Sequence, residues 1–257
     1  MNSLYYEYKG QGPTLVLVHG YCESIEMWDF LNPLEQSYSL LKIDLAGFGK
    51  SASHSLKSLE QQALAIHQIL QKEAIEEFTY IGHSMGGYIG LELLKKVGRL
   101  CKGFALFHSH PFADSPETQQ KRNRSIEFIQ SKGVKPYLKT LIPSFFPLGT
   151  QEEYNDEIEK IKKLALRSGP EGIIGAAKGM RDRKDHAETL VNYEGKLGLI
   201  IGGRDELVPK KFSQKQMLLA DRTALFLHPQ LGHMSHIEDE KWAFVVIQSF
   251  VEWVYES

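Results

Sequence analysis

Two cysteines, Cys22 and Cys101, are too few in 257 residues for a disulfide framework, so a reducing compartment is expected. Long hydrophobic runs are also missing. Stretches such as Thr14–Val18 and Trp242–Ile247 fall far short of the roughly 20 apolar residues that a membrane-spanning helix needs. A formal net charge of −2 leaves no global field to attract nucleic acid or an anionic membrane. The opening Met1-Asn2-Ser3-Leu4-Tyr5-Tyr6-Glu7 lacks the basic start and apolar stretch of a secretory signal. The histidines His108, His110, His228, His233 and His236 are dense but match no zinc-ligand spacing, so no metal is expected. Repeats and low-complexity segments are absent. These absences point to a cytoplasmic protein whose partner is a small-molecule substrate rather than nucleic acid or membrane, as a monomer or homodimer.

The chain does alternate short apolar runs with helical patterns. Thr14-Leu15-Val16-Leu17-Val18 is continuous and apolar, as a strand buried on both faces should be. Ser39–Ile43 ends at Asp44 as the next strand. Leu59, Ala63, Ile66, Ile69 and Leu70 recur with helical period between Ser58 and Lys72. Phe78–Ile81 is a strand cut off by Gly82, Met85–Val97 a helix stopped at Gly98, and Phe104–Phe107 a strand. Tyr5, Tyr6 and Tyr8 suit an antiparallel N-terminal strand. Strand–helix alternation of this kind predicts an α/β fold with a mostly parallel, doubly wound sheet.

From Pro111 to about Leu190 the buried-strand runs stop. Helices are expected over Ser115–Ser131, Pro136–Leu141, Glu152–Arg167 and Pro170–Met180. The α/β pattern then returns with a strand at Leu197–Ile201, a helix at Lys210–Leu219, a strand at Thr223–Leu227 and a last helix from about Asp239 to Trp253. The expected organisation is a core domain of residues 1–110 and 191–257 interrupted by a helical insertion, 111–190. Within the insertion, Lys121-Arg122-Asn123-Arg124 reads as a solvated helix face rather than a phosphate site. Phe112, Phe145, Phe146 and Leu148 lie among Pro and Gly rather than on a long amphipathic face. Phe112 above all is expected to form an apolar wall of the substrate pocket, with Phe145 and Phe146, the alternative being that these residues glue the insertion to the core.

Gly82-His83-Ser84-Met85-Gly86 is a G-x-S-x-G turn between a strand and a helix. Glycines on either side let the two elements approach while the serine hydroxyl projects above the sheet. A serine needs a base, and in this architecture acid and histidine follow it in that order. Asp205, in Gly202-Gly203-Arg204-Asp205-Glu206, is the first carboxylate past a strand end, with Glu206 as its competitor. Of His228, His233 and His236, His233 follows Gly232 on a loop free to reach back over Ser84. Two N–H donors for an oxyanion are expected from Met85, which opens the helix, and from Tyr21, which follows His19-Gly20. Cys22 beside that loop reads as a small semi-buried filler, nothing nearby lowering its pKa.

Together these residues resemble the α/β-hydrolase superfamily over nearly the whole chain. His19-Gly20 is similar to its oxyanion loop, Asp44-Leu45-Ala46-Gly47-Phe48-Gly49-Lys50-Ser51 to its D-x-x-G-x-G-x-S turn, Gly82–Gly86 to its nucleophile elbow, Gly203–Pro209 to its acid turn and Gly232-His233 to its histidine loop. The insertion resembles the family's helical cap. Serine at position 84 argues against dehalogenases and epoxide hydrolases, which carry aspartate there. Tyr21 after His-Gly is similar to the small esterase and perhydrolase branch. The resemblance implies acyl transfer from an ester through Ser84, His233 and Asp205, with no cofactor. A small-ligand receptor with a retained triad is the rival reading. A carbon–carbon bond hydrolase is a third, which would need a carboxylate-binding pocket at Arg181 or Arg183.

Overall fold

Each apolar strand of this chain sends alternate side chains to opposite faces, and two hydrophobic layers form from that alternation. In the computed structural model, which describes residues 4–56, 58–219 and 222–256, seven strands among the described residues form one sheet. They are β1 (Tyr6–Gly10), β2 (Thr14–Val18), β3 (Ser39–Ile43), β4 (Phe78–His83), β5 (Cys101–Phe107), β6 (Lys196–Gly202) and β7 (Thr223–His228). The order is β1-β3-β2-β4-β5-β6-β7, with β1 antiparallel to β3 and all other pairs parallel. Val16 and Val18 of β2 join Phe104, Leu106, Leu197 and Leu199 on one face; Leu15 and Leu17 join Ala105, Phe107 and Ile200 on the other. The first face is covered by α1 (Leu59–Lys72) and α2 (Met85–Val97), and the second by Trp28 and the C-terminal helix. This is the α/β, mostly parallel sheet that the alternation of apolar runs predicts.

Some limits move. β4 runs on through Gly82 to His83 because those residues pair in register with Leu106 and Phe107 of β5, and the Ser84 amide still donates to Phe107 O at 2.9 Å. β5 starts at Cys101, earlier than its apolar run suggests. Residues Ile25–Gln36 form a 3-10 helix that a search for α-helical period does not predict. Its buried side chains Ile25, Trp28, Leu31 and Leu34 recur every third residue, the period of 3-10 rather than α geometry.

Between β5 and β6 the chain is helical: α3 (Pro116–Lys132), α4 (Val134–Leu141), α5 (Asn155–Ala165), α6 (Pro170–Arg181) and a short α7 (Ala187–Val191) that periodicity does not reveal. α8 (Lys210–Gln216), α9 (Ser235–Glu238) and α10 (Glu240–Tyr255) complete the chain. Ile126, Ile129, Leu138, Ile142 and Ile173 of the helical segment belong to the same hydrophobic cluster as Val18 and Phe48. The segment therefore has no separate core. Contact is close where Gly47 (φ +91) meets Gly172, whose Cα lies 2.6 Å from where a Gly47 Cβ would stand. The Asp44–Ser51 turn is organised by Asp44, whose carboxylate accepts from the amides of Ile25 and Lys50 at 2.9 and 2.7 Å. Among the described residues, no helix is long and apolar enough to cross a membrane.

The elbow glycines follow from the same packing. A Cβ on Gly86 would stand 2.2 Å from Val18 O, and one on Gly82 would stand 2.5 Å from the Gly86 carbonyl carbon. Gly86→Ala should therefore cost about 1–3 kcal/mol or more, because backbone cannot step aside. Gly98→Ala, at φ −52 with nothing within 4 Å, should stay within about 0.5 kcal/mol. Urea denaturation midpoints of the two variants check this; equal midpoints would refute the packing argument.

Candidate active site

Ser84 stands between β4 and α2 at φ +49, ψ −113, a conformation that L-residues rarely adopt. It is pinned on both sides: its amide donates to Phe107 O, and its carbonyl accepts from Ser109 Oγ at 2.7 Å. Met85 is the first helical residue, so its amide is one that a helix leaves without an internal acceptor. Tyr21, on the loop after β2, lines the same cavity as Ser84. Gly20 brings that loop close, since a Cβ there would lie 3.2 Å from Ser84 Cβ.

Asp205 follows the Gly202-Gly203 turn at the end of β6. Its Oδ1 accepts the amides of Leu207 and Val208 at 2.9 and 3.0 Å, and its Oδ2 accepts His233 Nδ1–H at 2.8 Å. Burial opposes its charge, but the neighbouring His233 and His108 outweigh burial and hold the carboxyl well below the usual carboxylate range. His233 is buried and lines the cavity with Ser84, its loop clamped by Glu238, which accepts the Gly232 and Met234 amides at 2.7 and 3.0 Å. Among the described residues no hydrogen bond joins Ser84 to His233; such contacts often tighten only around substrate. Of the competitors, Glu206 is exposed and His228 stays in β7 against Trp242. His236 is buried in α9, its Nε2 4.0 Å from Glu23.

Glu23 and Glu238 join the site without having been expected from the sequence, as does the approach of His108 Nδ1 to Asp205 Oδ2 at 3.4 Å. Glu23 carries one signal there, its position three residues after Gly20, whose amide its Oε2 accepts at 2.6 Å. The same oxygen accepts His83 Nδ1–H at 2.8 Å, while His83 Nε2–H donates to His233 O at 3.0 Å. Both His83 nitrogens face acceptors, so both carry protons and the ring is an imidazolium. Burial opposes this charge, yet the Glu23 carboxylate and its hydrogen bond outweigh burial and raise the His83 pKa. Burial likewise works against Glu23, but His83 draws it down to about 2. His108 and His236 are held neutral by burial, at about 4 and about 3.

A family model for the alpha/beta hydrolase fold matches residues 13–128. The structure also matches that of a thermophilic esterase from Thermogutta terrifontis with a TM-score of 0.91 at 25% identity, covering 98% of this chain and 94% of that one. The chain has the α/β-hydrolase fold, and its first half matches that family. A sequence relative, the pimeloyl-[acyl-carrier protein] methyl ester esterase of Vibrio atlanticus, is 25% identical over 247 residues, covering 90% of this chain and 92% of that protein. Another, the dihydrolipoyllysine-residue acetyltransferase component of the acetoin cleaving system of Cupriavidus necator, is 24% identical over 91% of this chain. The chain spans only 62% of the length of that second protein. The likeness to esterases in sequence and in structure supports hydrolase activity.

In this fold the cavity holds about 340 Å³ and takes Phe145, Leu141, Val208 and Phe212 as apolar wall. Phe112 and Phe146 are not part of it, contrary to the sequence expectation. Phe112 packs against His110 and Phe212 beneath the Lys215 ammonium, and Phe146 stacks on Tyr154 with ring centroids 5.0 Å apart. Phe112 meets Phe212 and Lys215 from far along the chain, a neighbourhood that local composition does not report. Leu148 is largely exposed. The basic run divides: Arg122 is half-buried and lines the cavity, Lys121 lines it while exposed, and Asn123 and Arg124 are exposed, as a solvated face would be. Cys22 is buried, and burial pushes its thiol far up, so it is no nucleophile.

The Glu23–His83 pair sets a pH window for stability. A raised His83 pKa stabilises fully below its ordinary value of 6.5 and is lost as pH climbs through the raised one. Glu23 at about 2 stabilises above its ordinary 4.5 and is lost as pH falls towards 2. Glu23→Gln should therefore cost most between pH 4.5 and 6.5, by about 2–4 kcal/mol, and less on either side. Denaturation of both proteins across pH 3–9 measures it. A pH-independent difference would contradict the charged pair.

Proposed function

We propose that this protein is a serine hydrolase of small carboxylic esters, working in the cytoplasm without a cofactor, with residues 111–190 as a cap over its cleft. Ser84 is the nucleophile, His233 the general base and Asp205 the acid that orients it. The amides of Tyr21 and Met85 form the oxyanion hole. One observation carries the reading: Asp205 has one oxygen saturated by two amides and the other on His233 Nδ1, leaving His233 Nε2 for the cavity that Ser84 also lines.

Ser84 Oγ attacks the ester carbonyl as His233 Nε2 takes its proton. Negative charge develops on the carbonyl oxygen, and two amides that need no reorganisation receive it. The tetrahedral intermediate collapses to an acyl-serine as His233 returns the proton to the departing alcohol. His233 then takes a proton from water, whose oxygen attacks the acyl carbon and releases the acid and the free serine. Asp205 stays ionised throughout, fixes the Nδ1–H tautomer and stabilises the transient imidazolium. The charged His83, bonded to the backbone carbonyl of His233, holds the histidine loop in register.

Ser84→Ala should lose all labelling by a fluorophosphonate, and retained labelling would remove the nucleophile assignment. Asp205→Asn should lower kcat for a short aryl ester by roughly 10⁴-fold while leaving the melting temperature high enough to assay. Glu206→Gln should change it little. The reverse ranking would transfer the acid role to Glu206.

A further inference from the structure

The inward face of α3 changes character along its length. Ile126 and Ile129 are buried in the core cluster, as an inward stripe should be. Thr118, Lys121, Arg122 and Ser125, spaced as one helical face, line the cavity instead. A cavity wall built of four polar residues, two of them cationic, does not serve an apolar acyl chain.

The charge balance there is uneven. Asp114 is buried and shared by two guanidiniums: Oδ2 accepts from Arg122 Nε and Oδ1 pairs with Arg183 Nη1. Arg183 is consumed by structure. Its Nε donates to Phe112 O at 3.1 Å, its Nη1 to Met180 O at 2.9 Å, and its guanidinium carbon lies 4.0 Å from the centroid of the Tyr88 ring. Arg122 is not. Among the described residues its only hydrogen-bond partner is Asp114, through Nε, which leaves both terminal amino groups of this cavity-lining residue without a protein acceptor. Two guanidiniums share one buried anion, so one positive charge lacks a counter-ion. Of the other carboxylates that line the cavity, Glu23 is committed to His83 and Glu206 is exposed. His110, on the same cavity, reports the resulting field. Burial, and then Arg183 and Arg122, lower its pKa to about 3.

Building on the ester-hydrolase reading above, we propose that Arg122 is an anion subsite and that the preferred substrate is an ester whose acyl part ends in a carboxylate. A planar guanidinium with two adjacent free amino groups matches a carboxylate fork-to-fork. A single uncompensated charge is balanced by one carboxylate, whereas a phosphate would bring close to two negative charges. The volume of about 340 Å³ lies at the small end of ligand cavities, which suits a short chain between the ester and the acid. Asp114 and Arg183 act as positioning residues: they fix the Arg122 side chain through Nε so that its two amino groups stay presented.

The test compares 4-nitrophenyl hemiadipate with 4-nitrophenyl hexanoate, which replaces the terminal carboxylate by a methyl group. The native enzyme should favour the hemiadipate in kcat/KM by at least about tenfold, and Arg122→Met should reduce that ratio by about 10–100-fold. Arg122→Lys, which keeps the charge but loses the fork, should fall between. A native enzyme that turns over the hexanoate as well as the hemiadipate overturns the subsite while leaving the hydrolase reading in place. If neither ester is turned over and fluorophosphonate does not label Ser84, the hydrolase reading fails, and calorimetry with adipate alone decides the subsite. Adipate binding weakened about tenfold or more by Arg122→Met supports it; no saturable binding to the native protein overturns it. If Arg122→Met does not fold, the native substrate ratio and the ratio in Arg122→Lys decide between the same two outcomes.

Discussion

A Cβ on Gly86 would collide with the Val18 carbonyl oxygen, and one on Gly82 with the backbone of Gly86. Backbone therefore meets backbone where β4 passes into α2, and Ser84 between them is forced to positive φ. The rest of the site is arranged around this contact. Because the helix starts immediately after the serine, its unbonded amides sit beside the hydroxyl. Because the strand next door ends on Val18, the loop carrying Gly20 and Tyr21 arrives at the same point. The strain in one residue is over-determined by a sheet register that extends across seven strands.

Charge in the site is handled by two buried acid–histidine pairs that meet at His233. Asp205 binds the His233 ring, while Glu23 binds His83, whose second nitrogen binds the His233 backbone. One pair aligns the imidazole and the other its loop. Three imidazoles, His108, His233 and His236, lie with ring centroids within about 6 Å of His83, whose two nitrogens both donate to oxygen acceptors. Two full charges on adjacent rings in a low-dielectric pocket would repel strongly. Neutral His108 and His236 avoid that cost.

The helical segment shares its hydrophobic cluster with the sheet, so the cavity beneath it is a gap in one continuous core rather than a space between two. Its wall is apolar at Phe145 and Val208 and basic at Arg122, and both characters come from residues that are distant in sequence from Ser84. Asp114 and Arg183, near the two ends of the segment, are ion-paired. That pair ties the segment's entry to its exit, and the same Asp114 orients Arg122.

Strand and helix positions are legible in the sequence because buried parallel strands need unbroken apolar runs and amphipathic helices need a 3.6-residue period. The elbow glycines are legible too, since steric demand there admits one residue type. Asp205 and His233 are found through chain order and turn residues, and the structure places them 2.8 Å apart. The 3-10 helix at Ile25–Gln36 escapes a search for α-period. Glu23, the Phe112 packing and the division of the Lys121–Arg124 run depend on neighbours dozens of residues away. Arg122 is the clearest case. Its identity as a cation is written in the sequence, but whether it meets water, a carboxylate or a ligand depends on which face of α3 turns inward. That orientation is decided by Ile126 and Ile129 seeking the common core, a choice that only the folded chain makes.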